Sequence, residues 1–598
     1  AWPEQTFGPA GALCAQPDTT WRTNFAPGVC IGGRRLDVSD DPSSLAAAEH
    51  VAGVRVTDDV QHLDFAFSYN VVTTVADAAT DEAPVQGSLR QFIENANAIR
   101  GANVMRFVPL ARPTQEDPGV MQARTPRWWL LRAERPFPPI TDDETVVDGN
   151  AYSFLSPISA TDLNPGKVGL RPAVAPYIET PAPRQERPEL EIVVTGEEGL
   201  ACSARCVIRM IAIHGARVGI VTRADARIEH VMVGTRADAV TADARGDVGV
   251  QIEGGSTVAE HLLVEAQTIA GIAVVTREAR LDAKFLDVGY CGKPPASGAA
   301  IALFSDGSSV SYSVLHQNEG AAVVIGDPAA TTAATRNTLV ANAMSRNGAG
   351  VILSPGASWN TIWRNTLMWN LGGAVVAVKN QATTQRGNRI TENTFNENGF
   401  QPIILSLPAE PRPLAQQAGG CEGDPSATNG GLRAPRITSV RHGIEPAGEF
   451  FLVRGSGCPG RTIELYRSYV STDVRRASES RLNRRKGEAD VETLMIVDSS
   501  IRAVPSVGEF NFVGSTTALE DGSFEAKVPF ATLQERRRSR DPDQFEIWAD
   551  EALGTQDPRD SAFSALTIDA EGNTSELSAR HAPLNRPKSG WRSPRAPW

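Results

Sequence analysis

Long apolar runs are missing from this 598-residue sequence: none reaches the roughly 18 residues that a membrane-spanning helix needs. A surplus of positive charge is missing too. Lys and Arg number 58 against 70 Asp and Glu, for a formal net charge of -12. That balance argues against general nucleic-acid binding, which needs a field of cations to displace counterions, and against adhesion to anionic lipid. Aromatic residues make up only 6%, and there are 7 cysteines and 8 histidines. No Cys-x-x-Cys pair occurs and the histidines do not cluster near cysteines, so neither a metal nor another cofactor is expected. An initiator Met is lacking as well. The chain opens Ala1-Trp2-Pro3-Glu4, which reads as a mature N-terminus left by signal-peptide cleavage.

What is plentiful is Gly (52) and Pro (40), as many short strands and turns require. The cysteines suggest local bridges, Cys14 with Cys30, Cys202 with Cys206 and Cys421 with Cys458, with Cys291 left over. Bridges of this kind belong to an oxidising compartment, so the protein is expected to be secreted, either periplasmic or at the cell surface.

Internal repeats carry the fold. Asn337, Asn360 and Asn388 begin three segments that align residue for residue. They are followed by Leu339, Ile362 and Ile390, then by Asn342, Asn365 and Asn393, by Met344, Leu367 and Phe395, and by Asn347, Asn370 and Asn398. The apolar column extends backwards through Val310, Leu281, Val258, Ile228 and Ile208, and a second short apolar strand follows each member, giving about eight coils between residues 205 and 405. Each coil buries its apolar face on its neighbours. The Asn columns are expected at sharp bends, where Asn tolerates a left-handed backbone, and to form a structural ladder of Asn342, Asn365 and Asn393 beside Asn347, Asn370 and Asn398.

The segment Gly87-Ser88-Leu89-Arg90-Gln91-Phe92-Ile93-Glu94-Asn95-Ala96-Asn97-Ala98 precedes this region. Ser88 can cap a helix whose apolar face is Leu89, Phe92, Ile93 and Ala96. With Gly101 and Val104-Met105-Arg106-Phe107, it resembles the opening segment of secreted bacterial right-handed parallel β-helix proteins of the pectin-lyase-like group, with Phe92 in place of the usual Ala. The resemblance implies an all-β, right-handed parallel β-helix solenoid with an N-terminal capping helix. Beyond a Pro- and Gly-rich stretch, alternating strands suggest an antiparallel β-sandwich. There Gly455-Ser456-Gly457-Cys458, Asp521-Gly522-Ser523-Phe524 and Ala565 to Glu576 resemble bacterial immunoglobulin-like modules. The domains are read as an irregular segment 1–65, the β-helix 66–407, a linker 408–434, the sandwich 435–580 and an extended tail 581–598.

Chemistry is harder to place. β-Helices host lyases, hydrolases and epimerases as well as adhesins and passive scaffolds. The paired-Asp and Gly-His-Gly pattern of galacturonan hydrolases is absent, as are the Trp-Ile-Asp-His pattern of pectate lyases and the Asp-Pro-His-Asp pattern of alginate epimerases. The column of middle bend positions reads Ile211, Val231, His261, Lys284, Ser313, Asn342, and so makes His261 and Lys284 stacked neighbours with Asp282 beside them. A lyase or epimerase needs a base and a cation that holds a carboxylate, and these three are the catalytic candidates. The plainer reading makes them polar bend residues. Trp359, Trp363 and Trp369 match polar or small residues in the neighbouring repeats, so they should point outward as a binding surface or be covered by another part of the chain. The basic stretch 475–486 reads as a solvated loop.

The expected function is a non-catalytic secreted structural or interaction protein, a rigid β-helix in a cell-surface or periplasmic assembly or an adhesin. Its partner would be another protein or further copies of itself. The alternative is a carbohydrate-active enzyme or polysaccharide-binding protein with its site on the β-helix face.

Overall fold

The computed structural model describes residues 3–7, 13–15, 21–23, 56–59, 66–77, 85, 87–109, 112–117, 125–153, 156–170, 184–242, 245–292, 298–327, 334–378, 384–407, 421–422, 427–469, 509–530 and 561–583. Cys30, the basic stretch 475–486, most of the linker 408–434 and the tail from residue 584 lie outside the described residues. The chain forms two compact units, one of residues 1–169 and 183–308, the other of 170–182 and 309–598.

A short strand with one apolar face can neither bury that face nor pair both its edges alone, and stacked parallel coils meet both needs. In the first unit, Glu198–Cys202, Val218–Thr222, Val248–Ile252, Ala270–Val274 and Ala299–Leu303 form one parallel sheet, with Leu200, Ile220, Val250, Ile272 and Ile301 in a single column. Cys206–Arg209, Ala226–Val233, Ser256–Glu265 and Arg280–Lys284 build a second face. Ile211–His214, the later halves of Ala226–Val233 and Ser256–Glu265, and Asp287–Gly289 build a third. The inward residues are fully buried, among them Ile208, Ile228, Ala259 and Ala283.

The expected helix is Leu89–Ala98. Ser88 Oγ accepts from the Gln91 amide at 3.1 Å, and Leu89, Phe92, Ile93 and Ala96 are buried. Arg90 is wholly buried too. It grips Asp77 through Nε and Nη2 at 2.8 Å, donates to the Pro136 carbonyl and lies over the Phe137 ring. The flanking strands Val71–Val72 and Arg106–Phe107 pair in parallel.

In the second unit the expected columns are in register: Val310, Leu339, Ile362 and Ile390, and Met344, Leu367 and Phe395. The Asn ladder is there, but its cause differs from the expected one. Left-handed backbone belongs to the residue before each Asn, namely Ala341, Arg364 and Glu392 at one bend and Arg346, Trp369 and Glu397 at another. The Asn side chains point inward and are buried. Asn365 Oδ1 accepts from both the backbone N–H and the Nδ2 of Asn342, at 3.0 Å each, and Asn365 Nδ2 donates to the Leu339 carbonyl at 2.9 Å. Asn347, Asn370 and Asn398 repeat this pattern.

Two antiparallel sheets follow, Arg436–Glu445, Gly448–Ser456 and Ser523–Pro529 in one and Thr462–Tyr469, Glu509–Thr517 and Ser561–Ile568 in the other. Ile437, Val440, Phe451, Val453, Phe524 and Val528 from the first sheet meet Ile463, Leu465, Phe563 and Ala565 from the second, which makes this a β-sandwich. It seals the last coil. Phe395 pairs antiparallel with Phe510. Asn429 extends the Asn337–Asn360–Asn388 column by one rung, accepting from the Asn388 amide at 2.8 Å. Asn573 and Thr574 accept from the Gly387 and Ile390 amides. Glu464 and Glu576 accept from those of Glu392 and Leu405.

Cys202 is bridged to Cys206 and Cys421 to Cys458. Cys14 lies on the short strand Leu13–Ala15, and its pairing with Cys30 falls outside the described residues. Cys291 is a buried thiol whose pKa burial pushes up to about 12.

Candidate functional site

Two surfaces carry the sequence candidates, one in each unit. On the first unit the expected column departs from the register at two members, by one residue at Val258 and by two at Leu281, which stands beside Thr257. Register puts Ala259, not Val258, between Ile228 and Ala283, and sets Val258 beside Arg227 and Asp282 on the outer face. The slip arises because an apolar Val points outward here while a small Ala points inward. With a side-chain period of two, one residue exchanges the faces. His261 therefore does not stack on Lys284. Lys284 stands beside Glu260, and the inward position after the bend is Leu262, next to Val231.

The corrected register yields three outer columns. The first is Val207, Arg227, Val258 and Asp282; the second is Asp148, Arg209, Glu229, Glu260 and Lys284. The third is the left-handed bend itself, Met210, His230, His261 and Phe285. Along it the His261 ring lies between His230, at 4.7 Å and nearly parallel, and Phe285 at 4.9 Å.

The charges of this face are largely spent on one another. Arg209 binds Asp148 at 2.7 Å and Glu229 at 3.7 Å, and Arg227 binds Glu229 at 2.6 Å and Glu260 at 2.7 Å. Burial disfavours the charge of Glu229, but its bonds to Arg227 and the field of Arg209 outweigh that and hold its carboxyl below the usual range. His230 goes the other way. Burial pushes its pKa below the ordinary histidine value against the pull of Glu229, Glu186 and Glu260, so its ring is neutral at neutral pH. Its Nδ1 is buried without a hydrogen-bond partner among the described residues. A neutral imidazole beside cations is the equipment of a general base, and ion pairs already closed on themselves are that of a scaffold.

The second surface is the coil bearing Trp359, Trp363 and Trp369. All three project outward. Trp359 and Trp369 sit at left-handed bend positions, and Trp363 ends the strand Thr361–Trp363. Trp359 is 41% exposed, and the other two are half-buried. Each has a guanidinium against its ring: Arg386 at 5.6 Å from Trp359, Arg364 at 4.4 Å from Trp363 and Arg346 at 5.3 Å from Trp369. Trp369 also donates its indole N–H to Glu397 at 3.0 Å. Below Trp359 is Gly387 on the next coil. A Cβ there would lie 2.2 Å from the indole six-membered ring, so the absence of a side chain lets Trp359 lie against the backbone.

Sequence reasoning passed over His230 and the two arginines. A signal was there: Glu229-His230 and Glu260-His261 are the same dipeptide before an apolar strand, and aligning them gives the observed register.

No family model matches the chain, and no curated relative matches it. Among solved structures it is similar to a double mutant of the periplasmic alginate epimerase AlgG, with 13% identity over 52% of this chain and 68% of that one and a TM-score of 0.28. It is similar also to the A-module of the Azotobacter vinelandii mannuronan C-5 epimerase AlgE4, with 13% identity, 52% and 86% coverage and a TM-score of 0.27. A third likeness is to the enzymatically active domain of tailspike protein 2 of bacteriophage CBA120, with 9% identity, 92% and 79% coverage and a TM-score of 0.29.

Proposed function

We propose that this protein binds an extended polysaccharide on its β-helix, with the Trp359 coil as the stacking platform. The observation that carries the reading is the Trp359 indole, laid against Gly387 on one side and open to solvent at 41% exposure. An indole packed against backbone on one side and exposed on another presents a rigid apolar surface on which a sugar ring can stack. Thr361 and Trp363 continue the same outer row, and Arg386 adds a cation that suits a carboxylated sugar. The Cys202–Cys206 and Cys421–Cys458 bridges support export to an oxidising compartment. The sandwich, read as an immunoglobulin-like module, would then be the spacer behind the binding rod.

A glycan array probed with the full chain, followed by titration calorimetry on the best glycan, tests this. Trp359→Ala is expected to weaken binding about ten-fold, roughly 1.4 kcal/mol. Gly387→Ala, the smallest side chain that meets the indole, should do the same by lifting it off the coil, with some added strain at this left-handed bend. An array on which the protein binds no glycan, or binding indifferent to both substitutions, would sink the proposal in favour of a protein partner.

A second reading has its own observation. The neutral His230, stacked on His261 amid Arg209, Arg227 and Lys284, could serve as the base of a lyase or epimerase. Shortened or epimerised chains in the same incubations, abolished in His230→Ala, would turn binding into catalysis.

A further inference from the structure

We propose that the junction between the C-terminal sandwich and the last β-helix coil is a proton-linked latch, closed most firmly when Glu464 and Glu576 are both protonated and loosened as they ionise.

The last coil of a solenoid has no successor, so its outward amides need acceptors from elsewhere. Here side chains from the sandwich supply them, and two of the acceptors are carboxyl groups. Glu464 is 3% exposed. It takes hydrogen bonds from the Thr391 hydroxyl, from the Glu392 amide at 3.1 Å and from the Tyr466 hydroxyl at 2.8 Å. The titratable groups that act on it are Glu392, a like charge whose own partner is Arg364, and Tyr466, kept neutral by burial. Glu576 meets the Leu405 amide at 2.8 Å, and no charged group among the described residues acts on it. Among the described residues, then, neither carboxyl has a cation to offset its loss of water.

Burial raises the Glu464 pKa in spite of three hydrogen bonds, and raises that of Glu576 from 4.5 to about 7 in spite of one. Undocking returns both side chains to water. Between the undocked and docked values the closed latch binds more protons than the open one, so acid favours closure. The contribution of Glu576 is fully present below pH 4.5 and is lost as the pH rises through about 7.

Amide hydrogen exchange on the full chain, corrected for intrinsic rates, reads the latch directly. The amides of Glu392 and Leu405 are expected to lose protection about ten-fold or more between pH 5 and pH 8.5, while those of Val323 and Val351, inside the same unit, keep theirs. Glu464→Gln with Glu576→Gln keeps one carbonyl acceptor at each position, enough for the Glu392 and Leu405 amides, and removes the charge, and should flatten the profile. Glu576→Gln alone serves if the pair does not fold. A flat wild-type profile overturns the latch, as does a loss shared equally by the interior amides or one that persists in the variants.

Discussion

At the scale of single residues, the ladder divides its work between neighbours. Each bend asks one residue to adopt a left-handed backbone, at a cost of about 1 kcal/mol for a residue with a Cβ. In the three ladder coils that residue is Ala341, Arg364 or Glu392, and the Asn behind it secures the bend by satisfying the backbone of the coil before. Asn365→Ala would strand the Asn342 amide and the Leu339 carbonyl, both deep inside. It should destabilise the unit by about 3 kcal/mol, from two orphaned buried groups at 1–3 kcal/mol each, and this is measurable by urea unfolding. A loss below about 1 kcal/mol would mean that water or a shift of the coil replaces the side chain. The Asn columns were legible because identical residues recur at shared offsets. The first unit was less so. Its bend positions are Met210, His230, His261 and Phe285, its inward column mixes Ile with Ala, and Val258 faces outward. Hydrophobicity alone chose the wrong residue there, and only the repeated Glu-His pair marks the true register.

At the scale of elements, the opening helix does more than cover apolar residues. Its Arg90 is a buried cation, and its value depends on Asp77, which is itself only 4% exposed. Removing one partner of such a pair leaves an uncompensated charge in the interior. Arg90→Met should therefore cost about 3–5 kcal/mol even though Met fills similar space, while Ser88→Ala, which only unties the first turn from the Gln91 amide, should cost about 1 kcal/mol. Thermal melts of the two variants would rank them. Equal losses would show that the helix end, not the ion pair, sets the stability of this segment. The helix was readable from Ser88 and its apolar spacing. The partner was not, because Asp77 lies outside any periodic pattern. The same holds for the seal on the last coil. Asn573, Thr574 and Glu464 reach it from 186, 184 and 72 residues away, a separation no local pattern records.

At the scale of the molecule, the sandwich answers the weakness of any open stack. A parallel coil without a successor is a template for another strand, and an exposed template invites association with further copies. In this chain the outward amides of Gly387, Asn388, Ile390, Glu392 and Leu405 all find acceptors beyond residue 427, and the strand Thr394–Asn396 is paired by Glu509–Asn511. A chain ending at residue 407 would lose every one of these partners at once while keeping its own stacked coils. It should self-associate through the bared edge, giving concentration-dependent oligomers in sedimentation velocity where the full chain gives one species under the same conditions. Capping the bared edge with a separately made fragment of residues 408–598, which keeps the Cys421–Cys458 bridge, should reverse the association. A shortened chain that stays monomeric at high concentration would mean that the coil edge protects itself, and that the sandwich is retained for what it binds and not for what it covers.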